Sequence, residues 1–249
     1  MDANEVLTYL RTEFRNIFQD RLVGVYLFGS LTYGAFTPSR SDIDLVVVIT
    51  SKVDNTEMKL IEDLYNSIEV NFPFWSKRIE CSFVTIEMLA STLPPIEPRP
   101  YFGERFYKAA PYGNEWIINN YLIQEYGQTI SGKEIADVFK RINFDDVKTA
   151  IIKDFHQEWL PKLNDMAYLN NPHYCSYLVL NLCRILYSLN TNGMGSKKTA
   201  ANWVMQQYPQ FEILINHALE WSYGDEFPFI ETTQGLIKLV ENVINTSSD

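Results

Sequence analysis

Two short stretches carry the residue types and spacing that suggest chemistry. Gly29-Ser30 closes the apolar run Val23-Gly-Val-Tyr-Leu-Phe28, and eleven residues later Ser41-Asp42-Ile43-Asp44 leads into a second run, Leu45-Val-Val-Val-Ile49. Ser30 begins a segment able to turn into a helix, where backbone N–H groups and a hydroxyl can meet phosphate oxygens. Asp42 and Asp44 are two positions apart, which on a strand puts both carboxylates on one face with Ile43 on the other. Two acids so placed repel unless a cation lies between them, and a hard divalent ion such as Mg²⁺ suits oxygen ligands best. A third acid, Glu80, interrupts the alternating run Arg78-Ile-Glu-Cys-Ser-Phe-Val84. If that run lies beside the Asp42/Asp44 strand, three carboxylates converge, enough to hold two metal ions and a triphosphate for in-line attack at phosphorus. Neither a Gly-Ser nor an Asp-x-Asp is specific alone. Their combination, flanked by apolar strands and followed by a strand acid, is.

The elements that must position these residues are legible from periodicity. Residues 4–18 place Val6, Leu7, Leu10, Phe14 and Phe18 at helical spacing, 23–28 and 45–49 read as buried strands, 56–70 as a helix and 78–84 as a strand. This order predicts an α+β fold with a mixed sheet over residues 1–95. Pro94, Pro95, Pro98 and Pro100 fall within seven residues, and proline disfavours both helix interiors and central strands. Residues 96–132 are therefore expected as a connector with a cleft-lining helix over 115–126. The remainder, 133–249, reads as an all-helical domain, with helices over 144–169, 174–189, 197–207, 211–221 and 229–244. Thr191-Asn-Gly-Met-Gly195 stops one helix and Ser196 caps the next.

Composition limits the function classes. The 249 residues include 21 Lys+Arg against 31 Asp+Glu, a formal net charge of −10. Binding to nucleic acid needs clustered basic residues that this chain lacks, so no nucleic-acid partner is expected, and cationic or metal-chelated partners are favoured. Three cysteines, Cys81, Cys175 and Cys183, form no CxxC pair, which suits a reducing compartment. Residues 1–10 lack the basic and apolar regions of a signal peptide. The expectation is a cytoplasmic monomer with no membrane association.

Leu27-Phe28-Gly29-Ser30 followed by Ser41-Asp42-Ile43-Asp44-Leu45 resembles the nucleotidyltransferase signature of the polymerase-β-type superfamily. Arg78–Val84, Tyr101-Phe-Gly-Glu104, Leu180-Asn-Leu-Cys-Arg-Ile-Leu-Tyr-Ser188 and Ser196-Lys-Lys-Thr-Ala-Ala-Asn-Trp203 are similar, in order and spacing, to segments of the aminoglycoside 3″- and 9-O-adenylyltransferases, which inactivate streptomycin and spectinomycin. The resemblance implies a polymerase-β-like domain followed by a helical bundle, and transfer of AMP from ATP to a hydroxyl of an aminoglycoside or aminocyclitol. It implies that Gly29, Ser30 and Ser41 lie at the nucleotide, that Asp42 and Asp44 hold two Mg²⁺, and that Glu80 takes the acceptor's proton. It also implies that Arg184 and Lys197 reach the ATP phosphates from the helical domain. Glu104, Arg105 and Tyr174 fall at acceptor-pocket positions. Arg105 stands where streptomycin-modifying members have a stacking Trp, and Tyr174 where they have an Asp, so a small, hydroxylated, cationic acceptor such as spectinomycin is favoured over streptomycin. Another metabolite or a protein hydroxyl is the alternative acceptor. Tyr65, Trp75, Tyr101, Trp116 and Trp203 are read first as packing residues, with Trp75, Tyr101 or Trp116 able to stack on adenine or acceptor.

Overall fold

The computed structural model describes residues 3–36, 41–222 and 224–246, so residues 37–40 of the segment between the two signature runs lie outside it. The chain forms two compact units, Met1–Asn143 and Phe144–Asp249.

The first unit is built on a six-stranded mixed sheet in the order β5-β4-β3-β2-β1-β6. Its elements are α1 (Ala3–Phe18), β1 (Leu22–Phe28), β2 (Ile43–Ile49), α2 (Asn55–Asn71), β3 (Ile79–Thr85), β4 (Arg99–Phe102), β5 (Phe106–Ala110), α3 (Glu115–Tyr126), β6 (Gln128–Gly132) and the short α4 (Ile135–Val138). Strands β2 and β3 run parallel, joined through α2, and the other pairings are antiparallel. Alternation divides the sheet. Val25, Leu27, Ile43, Leu45, Val47, Ile79, Cys81 and Phe83 enter one core with Val6, Leu10 and Phe14 of α1 and Ile61, Leu64 and Ile68 of α2. The intervening residues, Asp44 and Glu80 among them, belong to the opposite face.

The entry to α2 is fixed by a capping box. Asp54 Oδ1 accepts from Glu57 N at 2.8 Å, and Glu57 Oε2 accepts from Asp54 N at 2.9 Å. The buried Glu57 also accepts from Arg21 NH1 at 2.6 Å.

Residues 96–132, expected as a connector, are part of this sheet: β4 extends it beyond β3, β5 beyond β4, and β6 pairs with β1. Pro100 is accommodated because the β4–β5 register shifts between Arg99 and Tyr101, so its missing N–H falls at an irregularity in the ladder.

The second unit is helical: α5 (Phe144–Asp154), α6 (Met166–Leu169), α7 (Pro172–Thr191), α8 (Lys197–Gln207), α9 (Glu212–Glu220) and α10 (Ile230–Thr246), with α7 packed against α8, α9 and α10. The single helix expected over 144–169 is broken. A π-helical turn at Phe155–Trp159 and a 3₁₀ stretch at Leu160–Asn164 separate α5 from α6, with Pro161 in the first turn of the 3₁₀ stretch, where its missing N–H is harmless. Asn171 and Ser196 cap α7 and α8, accepting from Tyr174 N at 3.1 Å and Thr199 N at 3.0 Å. Helix α7 ends at Asn192 in the left-handed conformation, φ 52°. Cys81, Cys175 and Cys183 are buried free thiols, and among the described residues no helix is long and apolar enough to cross a membrane.

Candidate active site

Asp44 and Glu80 are direct register partners on the parallel strands β2 and β3. On its other side Asp44 faces Phe28 of β1, and the next residue, Gly29, sits at φ +74° against the Asp44 carboxylate. A methyl group there would overlap Oδ2 and lie 2.8 Å from Cγ. Gly29 is thus required twice, for its left-handed backbone and for the close approach. The helix expected after Ser30 is a single 3₁₀ turn, Gly29–Leu31. Gly29 O accepts from Thr32 N at 3.1 Å, and Ser30 O from Ala35 N at 3.0 Å. Ser30 is half-buried in this turn.

Asp42 lies just before β2 rather than in it. Ile43 N donates to Arg78 O at 2.9 Å, and Arg78 Nε lies 3.7 Å from Asp42 Oδ1. Arg78 NH2 donates to Ser41 O, and the guanidinium rests 4.6 Å from the Phe74 ring centroid and 5.3 Å from that of Trp75. One arginine therefore organises the Ser41-Asp42 approach to the strand, a role that its place at the head of the 78–84 run did not reveal. Among the described residues no three His, Cys, Asp or Glu side chains form a group able to hold a metal ion. Asp44 and Glu80 are brought together, while Asp42 is turned to Arg78. The carboxylates of Asp42 and Asp44 are nonetheless hard oxygen donors of the type Mg²⁺ takes, and the unsubstituted Gly29 leaves the second of them room.

Tyr101, read from sequence as a packing or stacking residue, has a more specific place. It pairs with Ser82 across β3–β4, which puts its ring on the sheet face that Ser82 shares with Glu80. Burial first, then the nearby carboxylate of Glu80, push the Tyr101 hydroxyl far above its usual range, with Arg99 opposing. Arg99 is itself buried at 7% exposure. It donates to Ser82 Oγ at 3.0 Å and to Pro111 O, lies 3.5 Å from Glu115 Oε1, and packs against the rings of Tyr112 and Tyr101 at 4.2 and 5.1 Å.

Glu104 and Arg105 occupy the β4–β5 turn, where Gly103 N donates to Arg105 O at 3.2 Å. Glu104 is exposed, and the Arg105 guanidinium covers the Tyr107 ring at 4.8 Å. In the second unit, Tyr174 stands in the first turn of α7, stacked on Tyr168 with centroids 5.1 Å apart. Arg184 lies in α7 with a buried Nε that has no hydrogen-bond partner among the described residues. Lys197 opens α8, its Nζ 4.9 Å from the Tyr177 ring centroid.

Comparison with known proteins gives likeness of domains, sequence and fold. Residues 7–87 match the Nucleotidyltransferase domain and residues 137–247 the Aminoglycoside adenylyltransferase, C-terminal domain. The chain is 27% identical over 223 residues to the aminoglycoside (3″)(9) adenylyltransferase of Klebsiella pneumoniae, covering 82% of this chain and 79% of that one. It is 25% identical over 253 residues to the spectinomycin 9-adenylyltransferase of Campylobacter jejuni, covering 92% and 88%. The crystal structure of the spectinomycin adenylyltransferase of Enterococcus faecalis with ATP and spectinomycin superposes with a TM-score of 0.77 over 98% of this chain and 100% of that one, at 20% identity, a likeness of fold. The chain thus carries, in this order, matches to a nucleotidyltransferase domain and to an aminoglycoside adenylyltransferase C-terminal domain, and over most of its length it is similar to aminoglycoside and spectinomycin adenylyltransferases.

Proposed function

We propose that the protein transfers AMP from Mg-ATP to a hydroxyl of a spectinomycin-like aminocyclitol, releasing pyrophosphate and conferring resistance, with streptomycin a poor acceptor. The observation that carries this reading is the opposition of Asp44 and Glu80 on β2 and β3 beside the Gly29-Ser30 turn. One carboxylate is pressed against a glycine, suited to holding an ion. The other is exposed on the same face, suited to meeting a substrate.

In the reaction the acceptor oxygen forms a bond to the α-phosphorus and the bond to the bridging oxygen of pyrophosphate breaks. Glu80 accepts the proton leaving the acceptor hydroxyl, a contribution of about 10²–10⁴-fold. Asp42 and Asp44 would hold two Mg²⁺, which when bound neutralise charge on the phosphate oxygens. For Asp42 this requires release from Arg78, whose ion pair at 3.7 Å is loose and half-exposed on the acid's side. Gly29, Ser30 and Ser41 would border the nucleotide. Arg184 and Lys197 are assigned to the triphosphate on their family positions, as cations that supplement the metal ions. At the proposed acceptor positions, Arg105 places a cation over the Tyr107 face, an arrangement that disfavours a strongly cationic drug such as streptomycin.

The test is incubation of the purified chain with Mg-ATP and either drug, read by mass spectrometry. Spectinomycin gains one AMP and streptomycin remains unmodified. Failure to modify spectinomycin refutes the proposed acceptor and leaves a different hydroxylated metabolite or a protein hydroxyl as substrate. Glu80→Gln is expected to lose about 10²–10⁴-fold in kcat with ATP binding by calorimetry retained, whereas Asp44→Asn weakens both.

A further inference from the structure

Two arginines of the β4–β5 hairpin are held in opposite ways. Arg99 is buried and committed to Ser82, Pro111 and Glu115. Arg105 is exposed, and among the described residues its guanidinium makes no ion pair and no hydrogen bond; it rests on the face of the Tyr107 ring, 4.8 Å from the centroid. At an exposed site such a contact is favoured only about two- to fivefold over its release, so another cation can take its place.

Tyr107 stands beside the proposed chemistry. It pairs with Tyr101 across β4–β5, and Tyr101 with Ser82 across β3–β4, so both rings lie on the sheet face that carries Asp44 and Glu80. The register Cys81↔Phe102 brings Gly103 to the level of Glu80. A methyl group at Gly103 would stand 2.8 Å from Tyr101 Cε1 and 3.6 Å from Tyr107 Cε2, so both rings close over the bare backbone there. The strand beneath Tyr107 is anchored from the other face, where Phe106 packs on Phe102 at 5.9 Å between centroids and Lys108 Nζ meets Glu62 Oε2 at 2.8 Å. A fixed ring thus carries a loosely held cation on the face where the acceptor hydroxyl must arrive.

We propose that the Tyr107 ring is the seat of an ammonium group of the acceptor, and that Arg105 occupies this seat until the acceptor displaces it. The inference rests on the proposed function, with a cationic acceptor and Glu80 as the base that takes its hydroxyl proton. Arg105 is then a built-in competitor. An acceptor amine gains the ring only by displacing a charge of its own sign, and the displaced guanidinium, still tethered beside the seat, repels any further positive charge on the acceptor.

The experiment measures KM for spectinomycin in AMP transfer at saturating Mg-ATP. Arg105→Ala lowers it about two- to fivefold. Tyr107→Leu raises it about 5- to 30-fold, the range from an exposed to a desolvated cation–aromatic contact, and Tyr107→Phe, which keeps the ring, restores it to within about twofold of the parent value. KM for ATP is unchanged in all three, and in the Tyr107→Leu background Arg105→Ala has no further effect. A fall on Arg105→Ala that persists in that background, or a KM that Arg105→Ala fails to lower or Tyr107→Leu fails to raise, overturns the proposal. A second measurement needs no acceptor. With isotope-labelled tyrosine rings, tetramethylammonium chloride, matched against sodium chloride at equal ionic strength, shifts the Tyr107 resonances, with a midpoint about two- to fivefold lower in Arg105→Ala than in the parent. Equal midpoints, or no shift in Arg105→Ala, overturn the seat. If the parent protein transfers no AMP to spectinomycin, the acceptor reading has failed, and this titration decides on its own.

Discussion

Gly29 and Gly34 separate backbone strain from active-site geometry. Both have left-handed backbones, φ +74° and +70°. A methyl group at Gly34 would meet nothing within 4 Å among the described residues, whereas at Gly29 it overlaps Asp44 Oδ2. Substituting alanine at either costs the left-handed penalty of about 1–2 kcal/mol, and for a chain of this size each kcal/mol lowers Tm by about 2–4 °C. Only Gly29→Ala also displaces a carboxylate: Asp44 Cγ, at 2.8 Å, must retreat by about 0.6 Å to reach ordinary contact, and Oδ2 must move further. A misplacement of about 1 Å costs about 10²-fold in rate. Gly34→Ala should therefore lose stability and keep kcat, while Gly29→Ala should lose similar stability and about 10²-fold in kcat. Scanning calorimetry and pyrophosphate release at saturating substrates measure the two effects. If Gly29→Ala turns over within a few fold of Gly34→Ala, the idea that Gly29 exists to seat Asp44 is wrong.

Other perturbations test separate parts of the structure. Arg184→Ala is expected to raise KM for ATP by about tenfold, the scale of one charge-assisted hydrogen bond; an unchanged KM denies Arg184 its phosphate role. Asp54→Ala removes the side-chain acceptor of the α2 capping box, the Glu57 N–H to Asp54 Oδ1 bond, and should cost about 1 kcal/mol in urea unfolding without changing KM. Alkaline pH should destabilise both units. Burial raises Cys183 from 9.0 to about 12. Burial, with Glu134 and Asp137 adding to it, raises Tyr26 from 10.0 to about 12. The folded state holds these protons after the unfolded chain has released them, so stability is complete below pH 9, falls as pH rises, and is fully lost from these groups near pH 12. Tyr26→Phe should flatten the fall in urea midpoint between pH 10 and 12, and an equally steep fall would exclude Tyr26 as a contributor.

Much of the molecule is encoded locally. Helix α1, strands β1 to β3 and helices α2, α3 and α8 follow from periodicity and caps that act over a few residues, and each is present within a residue or two of its expected bounds. The expectation for the site is equally local in origin: a Gly-Ser turn, an Asp-x-Asp and a strand acid suggest phosphate and metal work before any folding is considered. Where these residues meet is a different matter. Strand pairing is a long-range choice, and a slip of one residue between β2 and β3 would put Glu80 on the wrong face beside Asp44. The proline-rich segment looked like a connector because proline is judged by average cost, yet tertiary pairing placed Pro100 at an irregularity where that cost vanishes. Arg78 and Arg99 carry no recognisable motif. Their roles exist only because folding brings Asp42, Ser82, Tyr101 and Glu115 within reach of two guanidinium groups. The residue types that do chemistry were thus determined by the chain itself. The side chains that aim them were decided by the fold, since aiming depends on neighbours distant in sequence that only packing and register bring together.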